Sequence, residues 1–242
     1  MEPIEPPTPG GPHLAWQSAE VVAIQPETPT AKTFRLRRSQ PVRHRAGQHY
    51  VVRLTAPDGY TASRSYSVAS APDDGPDIDL TVERLEDGEV SMFLHDVVEI
   101  GDELEIRGPI GSWFVWDADS PAVLVGGGSG VVPLMAMLRL ARRLGHQDLV
   151  RLVASVRRPE DLYYASEITG PETTVAYTRA APPGTSRAVG RLRAADFDAA
   201  WLHDATPFVC GSPMFCDAVT NLLVDEGVEA SRIRVERFGF SG

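Results

Sequence analysis

Apolar residues change their spacing once along this chain, at the punctuating segment Asp117–Pro121 (DADSP), which divides it into two differently built halves. From Trp16 to about Trp116 they recur at strand spacing, as in Phe34 and Leu36 or Ile78, Leu80 and Val82, between clusters of Gly, Pro and Asp. The candidate strands are Glu20–Ile24, Thr33–Leu36, Gln48–Leu54, Ser65–Ala69, Asp77–Arg84 and Glu103–Ile106, with one short helix at Val90–Asp96. So many short strands and so little helix predict a closed or nearly closed, six-stranded antiparallel barrel. Beyond Pro121 short apolar runs (Ala122–Val125, Leu149–Ala154, Thr173–Thr178, Phe208–Cys210, Ile233–Val235) alternate with helical patterns (Val132–Leu144, Glu160–Ile168, Met214–Glu226). That rhythm predicts a Rossmann-like parallel α/β sheet with helices on both faces. Gly145 and Gly227 follow two of the helices, where a left-handed cap is expected.

The 242 residues suit two domains of ordinary size, expected at 14–117 and 118–242. Residues 1–13 are acidic and proline-rich and are expected to form a disordered tail, since they lack the basic start and apolar run of a signal peptide. A net charge of −10 argues against nucleic acid or an anionic membrane surface as partner. The longest uncharged stretch, Ala122–Leu138, is broken by four glycines, Ser129 and Pro133, so it is not a membrane span. Two cysteines, Cys210 and Cys216, make neither a disulfide scaffold nor a metal site, and the chain reads as cytoplasmic.

Three segments carry candidate chemistry. VLVGGGSGVVP (Val123–Pro133) runs from a buried strand into a helix, so the amides of Gly127, Gly128, Ser129 and Gly130 can approach a pyrophosphate at the helix's positive end. Its spacing departs from GxGxxG, and a tight turn packed for steric reasons is the plain alternative. The next strand ends in Ser155, Arg157 and Arg158 where NAD-binding folds carry an acid. A hydroxyl and two guanidinium groups suit a 2′-phosphate, hence NADP with NAD possible; solvated loop charges are the alternative. In RSYS (Arg64, Ser65, Tyr66, Ser67) a phosphate fork, an aromatic face and a hydroxyl share one strand, with Arg64 and Tyr66 on one side and Ser67 on the other. An ordinary edge strand with an exposed arginine would look the same. Finally, Gly88–Ser91 opens the helix of the β half, where free amides and the Ser91 hydroxyl are a second anion site, or Ser91 a simple N-cap.

Taken in order, GQHYV (Gly47–Val51), RSYS, GEVS (Gly88–Ser91), GPIGSWF (Gly108–Phe114), GGGSGVVP, EDLYYASE (Glu160–Glu167), VCGSP (Val209–Pro213) and ERFG (Glu236–Gly239) resemble the ferredoxin–NADP reductase superfamily, in its bacterial oxygenase-reductase-like branch. The resemblance implies an FAD-binding barrel followed by a pyridine-nucleotide-binding domain. It implies that Arg64 binds the FAD pyrophosphate, Tyr66 stacks on the isoalloxazine and Ser67 lies near the hydride-accepting nitrogen. Ser65, Val82 and Gly88–Ser91, Val90 among them, complete that site. By the same resemblance Gly127–Gly130 hold the nucleotide pyrophosphate, while Cys210 and Gly211 face the nicotinamide. Tyr66, Ser67, Cys210 and Glu236 are the expected catalytic set, Glu236 having a structural salt bridge as its alternative. No metal is expected.

The chain lacks the four closely spaced cysteines of a plant-type iron–sulfur domain, so electrons would leave the flavin directly. Few residues follow Arg237, so no long C-terminal cover of the flavin is expected, and Phe238 is the candidate shield. The resulting expectation is a flavoprotein reductase that passes electrons from NADPH through FAD to a separate protein, a ferredoxin or a haem or metal oxygenase. A flavin or quinone reductase without protein acceptor, and a non-catalytic subunit of a larger electron-transfer complex, are the alternatives. A basic surface from Arg35, Arg37, Arg38, Arg43 and Arg45 would help an acidic acceptor dock against the overall negative charge; a solvated strand edge is the equal alternative. Nothing in the sequence reads out the oligomeric state.

Overall fold

The structure, a computed structural model, describes residues 15–238; the expected tail and the last four residues lie outside that range. Strands β1 (Gln17–Thr28), β2 (Ala31–Arg38), β3 (His49–Thr55), β4 (Thr61–Ser67), β5 (Asp77–Glu83) and β6 (Glu103–Ile110) form one antiparallel sheet in the order β4-β3-β6-β1-β2-β5. Its inward positions, among them Phe34, Leu36, Tyr50, Ile78, Leu80 and Ile106, are fully buried, as the period of two demands. The sheet curls until its end strands approach, joined among the described residues by the bridge between Val68 and Leu80 and the bond from Ala69 N–H to Asp79 O (2.8 Å). Helix α1 (Glu89–Asp96) contacts both edge strands at the gap left by this incomplete closure.

The second half is a five-stranded parallel sheet of order β11-β10-β7-β8-β9, built from β7 (Ala122–Gly127), β8 (Val150–Val156), β9 (Thr173–Tyr177), β10 (Thr206–Gly211) and β11 (Arg234–Arg237). Helix α2 (Val131–Leu144) covers one face; α3 (Ala199–Asp204) and α4 (Pro213–Asp225) cover the other. Gly145 ends α2 with φ +75°, and Gly227 follows α4 with φ +90°, the left-handed conformation glycine accepts without strain.

One local expectation fails. The helix anticipated at Glu160–Ile168 is a single 3-10 turn, Pro159–Asp161, followed by irregular chain in which Tyr164 has φ +53°. Tyr163 and Tyr164 are buried, and bonds from Tyr164 to Thr81 and Glu27 of the barrel compete with helical ones. Of the two readings of the arginine cluster, the structure favours the solvated strand edge over a basic docking surface. Arg35, Arg37, Arg43 and Arg45 face Asp79, Asp77, Asp74 and Asp117, and Arg38 is buried. Its guanidinium donates to Tyr50 Oη (3.0 Å) and to the carbonyls of Pro76 (2.9 Å) and Gly75 (2.7 Å), so it serves the barrel core.

Candidate active site

In β4 the ladder to β3 and the free outer edge together decide what the strand offers. Val68 N–H bonds Gln48 O (2.9 Å), and the alternation of an antiparallel ladder then turns the amides and carbonyls of Ser63, Ser65 and Ser67 away from β3 toward the gap. Side chains alternate as well. Tyr66 packs against the barrel core, and burial pushes its phenol pKa up. Arg64, on the same side, is exposed; its Nη1 donates to Ser63 O (2.8 Å), and among the described residues no carboxylate pairs with it.

Ser67 points the other way, sharing a side with Ala69, which lies in an apolar cluster that spans both halves. Ser67 is buried, and its Oγ has no hydrogen-bond partner. A buried hydroxyl is ordinarily satisfied, so this atom is an exception that calls for a physical explanation.

At the gap, α1 opens on Gly88, where a Cβ would stand 2.3 Å from Ser91 Oγ. Ser91 is not the N-cap: its hydroxyl donates to Gly88 O (3.0 Å) and accepts Leu85 N–H (3.2 Å), bracing the turn. The first-turn amides of an α-helix have no partner within it and suit an anion. Val90 and Val82 are buried in the barrel core, and Val82 O bonds His95 Nε2 (2.9 Å), so these two side chains build the scaffold beneath the site.

The second crevice lies where β7 and β10 send their connections to opposite sheet faces, the switch point at which open α/β sheets bind ligands. A Cβ on Gly127 would stand 2.7 Å from the Phe215 ring, and one on Gly130 2.2 Å from Cys210 O. Gly128, with φ +56°, faces open space, and Ser129 beside it is half-buried. The cradle is therefore closed from below and open above, as backbone binding of a pyrophosphate requires. Ser155 is in register with Gly127 on β8, while Arg157 and Arg158 stand exposed just past the strand end. Arg158 lies 3.7 Å from Glu160; Arg157 has no ion pair among the described residues.

Cys210, the penultimate residue of β10, is in register with Gly126 on one side and Glu236 on the other. Burial first, then the Glu236 charge, pushes its thiol well above the ordinary range, so it remains protonated. Glu236 is half-buried, and among the described residues it forms no salt bridge. Arg237 pairs with Asp217 (2.7 Å), and Arg234 donates to Val115 O (2.7 Å). Burial pushes the unpaired carboxyl up to about 7. Gly211 has φ +157°, and its carbonyl accepts Phe238 N–H (2.8 Å), which places the Phe238 ring against the cluster that holds both Cys210 and Ala69. Cys216 is a buried hydrophobe on α4.

The motifs alone did not single out Phe215, whose ring explains why Gly127 and Gly211 tolerate no side chain. Nor did they single out Arg139 and Tyr164, which join the two halves. Phe215 sits five residues past Cys210, a spacing visible in CGSPMF but uninformative without the packing.

Residues 19–115 match the family described as oxidoreductase FAD-binding domain. The chain is 37% identical over 154 residues to ferredoxin–NADP reductase B of Sorangium cellulosum, covering 62% of each protein. It is 35% identical over 150 residues to the glycine betaine monooxygenase reductase subunit of Chromohalobacter salexigens, covering 61% of this chain and 40% of that protein. Among solved structures, the FAD/NAD-binding domain of nitric oxide dioxygenase from Vibrio cholerae superposes with a TM-score of 0.82 at 24% identity, over 93% of this chain and 99% of the other. The chain spans about two fifths to two thirds of the length of the oxygenase-reductase relatives it matches. Among the described residues no helix is long and apolar enough to cross a membrane.

Proposed function

We propose that this chain, which belongs to the ferredoxin–NADP reductase superfamily, is a flavoprotein reductase that carries electrons from NADPH through FAD to a separate protein acceptor. NADH is the weaker donor in this reading. The observation that carries it is the buried Ser67 hydroxyl, unpartnered among the described residues, on a strand whose continuation at Ala69 is tied by Arg139 to the helix that starts at the glycine crevice.

When bound, FAD supplies the redox chemistry, accepting electrons as a pair and releasing them singly. The chain supplies geometry and electrostatics. Arg64 offers uncommitted guanidinium N–H groups to the FAD diphosphate, and the first turn of α1 adds backbone amides. Tyr66 presents a ring at the strand edge, and the Ser67 hydroxyl hydrogen-bonds a polar atom of the flavin ring. Gly127–Gly130 receive the dinucleotide's diphosphate, and Arg157 with Arg158 reads its 2′-phosphate. Cys210, held as a neutral thiol, shapes the nicotinamide position without adding charge. Glu236 retains a proton near neutral pH and is the polar group nearest that thiol along the strand register. Phe238 is the candidate cover for the exposed flavin face.

Pairing of Arg35, Arg37, Arg43 and Arg45 with aspartates removes the basic face that an acidic ferredoxin would seek, which favours an oxygenase or another less acidic acceptor. The matched monooxygenase reductase subunit points the same way. An anaerobic absorbance titration tests the proposal: flavin bands present after incubation with FAD should bleach on adding NADPH, and less readily with NADH. Bound flavin that resists both donors would support a non-catalytic subunit, and failure to bind flavin would remove the reading altogether. Rapid turnover with free flavin or a quinone, and none with any protein acceptor, would favour the reductase without a partner.

A further inference from the structure

The two halves are joined on the side of β1, β2 and β5 by a chain of polar contacts that neither cofactor crevice needs. Thr33 Oγ1 donates to Glu27 Oε1 (2.8 Å), which commits its single proton. Its oxygen must then accept from Thr81 Oγ1 (2.7 Å), and Thr81 in turn from Tyr164 Oη (2.5 Å). The chain has one direction, from Tyr164 of the α/β half to Glu27 of the barrel. Glu27 Oε2 also accepts the Tyr164 backbone N–H (3.3 Å), so this tyrosine is held at both ends.

Over the Tyr164 ring, 4.7 Å from its centroid, lies the guanidinium of Arg139 from α2. Arg139 Nη1 donates to Ala69 O (2.8 Å), and its Nε and Nη2 pair with Glu167 (2.9 and 2.5 Å). Arg139 therefore connects the helix that starts at the glycine crevice to the chain two residues past Ser67. Tyr164 pays for its place with φ +53°, a conformation costing a non-glycine residue roughly 1–2 kcal/mol and retained only where contacts over-determine it. A cleft of about 400 Å³ opens beside these residues, and the polar contacts at its wall add direction to the apolar cluster that also joins Ala31 and Ala69 to Tyr163 and Tyr164.

We propose that Tyr164 and Arg139 form an interdomain clamp, a pair of positioning residues that sets the glycine crevice and Cys210 at a fixed distance from the strand bearing Ser67. The proposal deepens the reductase reading and rests on it for its catalytic consequence. Transfer between two bound rings requires reacting atoms within about 3–3.5 Å, so a small reorientation of one half lowers the rate without removing either binding site.

The test uses Tyr164→Phe, which keeps the ring and loses the terminal donor, with Thr81→Val and the conservative Thr81→Ser beside it. Spin labels on cysteines introduced at exposed Glu99 and Asp148 report the distance between the halves, the native cysteines being buried. The clamp predicts a broadened or displaced distance distribution in Tyr164→Phe and Thr81→Val, and a native one in Thr81→Ser. Flavin bleaching at saturating NADPH should slow about tenfold in the first two variants, with FAD content and apparent NADPH affinity changed less than about twofold. Thr81→Ser should restore the rate. A distance distribution unchanged in Tyr164→Phe would overturn the clamp whatever the kinetics. A broadened distribution in a protein whose wild-type form is never bleached by NADPH would leave the clamp standing and remove the reductase reading instead.

Discussion

Gly130 and Cys210 are so closely opposed that a Cβ on the glycine would lie 2.2 Å from the cysteine's carbonyl oxygen. The turn proposed to hold the dinucleotide's diphosphate is therefore seated on the end of the strand proposed to face its nicotinamide. Because the opposing atom belongs to the backbone, it cannot swing aside. Gly130→Ala should destabilise the second half by roughly 1–3 kcal/mol and raise the Michaelis constant for NADPH, while FAD content stays at the wild-type level. Thermal unfolding and steady-state kinetics on the same preparation check both parts; a wild-type Michaelis constant would remove the turn from the nucleotide site.

Among the described residues no carboxylate pairs with Arg64, which is how an arginine reserved for a ligand phosphate stands in the free protein. A charge-assisted contact of this kind is worth roughly 1.5–3 kcal/mol, so Arg64→Ala should weaken FAD binding about tenfold to a hundredfold. Flavin fluorescence on dilution measures the change. Unaltered retention would return Arg64 to the ordinary exposed arginines.

Arg157 and Arg158 stand exposed past the end of β8, beside the strand whose Ser155 is in register with Gly127. Replacing both with alanine should raise the Michaelis constant for NADPH at least about tenfold while that for NADH barely moves. Equal effects on the two donors would show that the pair reads no 2′-phosphate.

Burial holds the Glu236 carboxyl at about 7, against an ordinary value of 4.5. An acid with a raised folded pKa imposes no penalty below pH 4.5, where it is neutral in both states. Between 4.5 and about 7 it increasingly disfavours the folded state, and above 7 the penalty is constant. Glu236→Gln should therefore gain stability relative to wild type as pH rises from 4.5 to 7, by about 1–2 kcal/mol once partial solvent screening is allowed for. Chemical denaturation at pH 4.5 and pH 8 checks the sign. If the proton on Glu236 also assists turnover, the wild-type rate of flavin bleaching carries an inflection near pH 7 that this variant lacks.

How far the molecule was legible in advance depended on how local each cause is. The strand period of two in Phe34–Leu36 and Ile78–Val82, the alternating rhythm after Pro121 and the glycine caps at 145 and 227 act within a few residues, and the architecture follows them. The segment around Tyr164 did not follow its helical pattern, because its decisive partners, Thr81 and Glu27, lie 83 and 137 residues away in sequence.

The same division runs through the candidate site. Residue type and order were enough to mark RSYS, GGGSG and CGSP, and to set Arg64 and Tyr66 on one side of a strand with Ser67 on the other, since side-chain alternation is a property of the extended backbone itself. Only the folded chain decided that, among the described residues, Ser67 is buried without a partner, Glu236 has no arginine, and four arginines of the considered docking surface are paired with aspartates. Burial and charge pairing are set by groups that meet through space from distant parts of the chain. Local periodicity carries no record of those meetings, and they decide which polar groups remain free to bind a ligand.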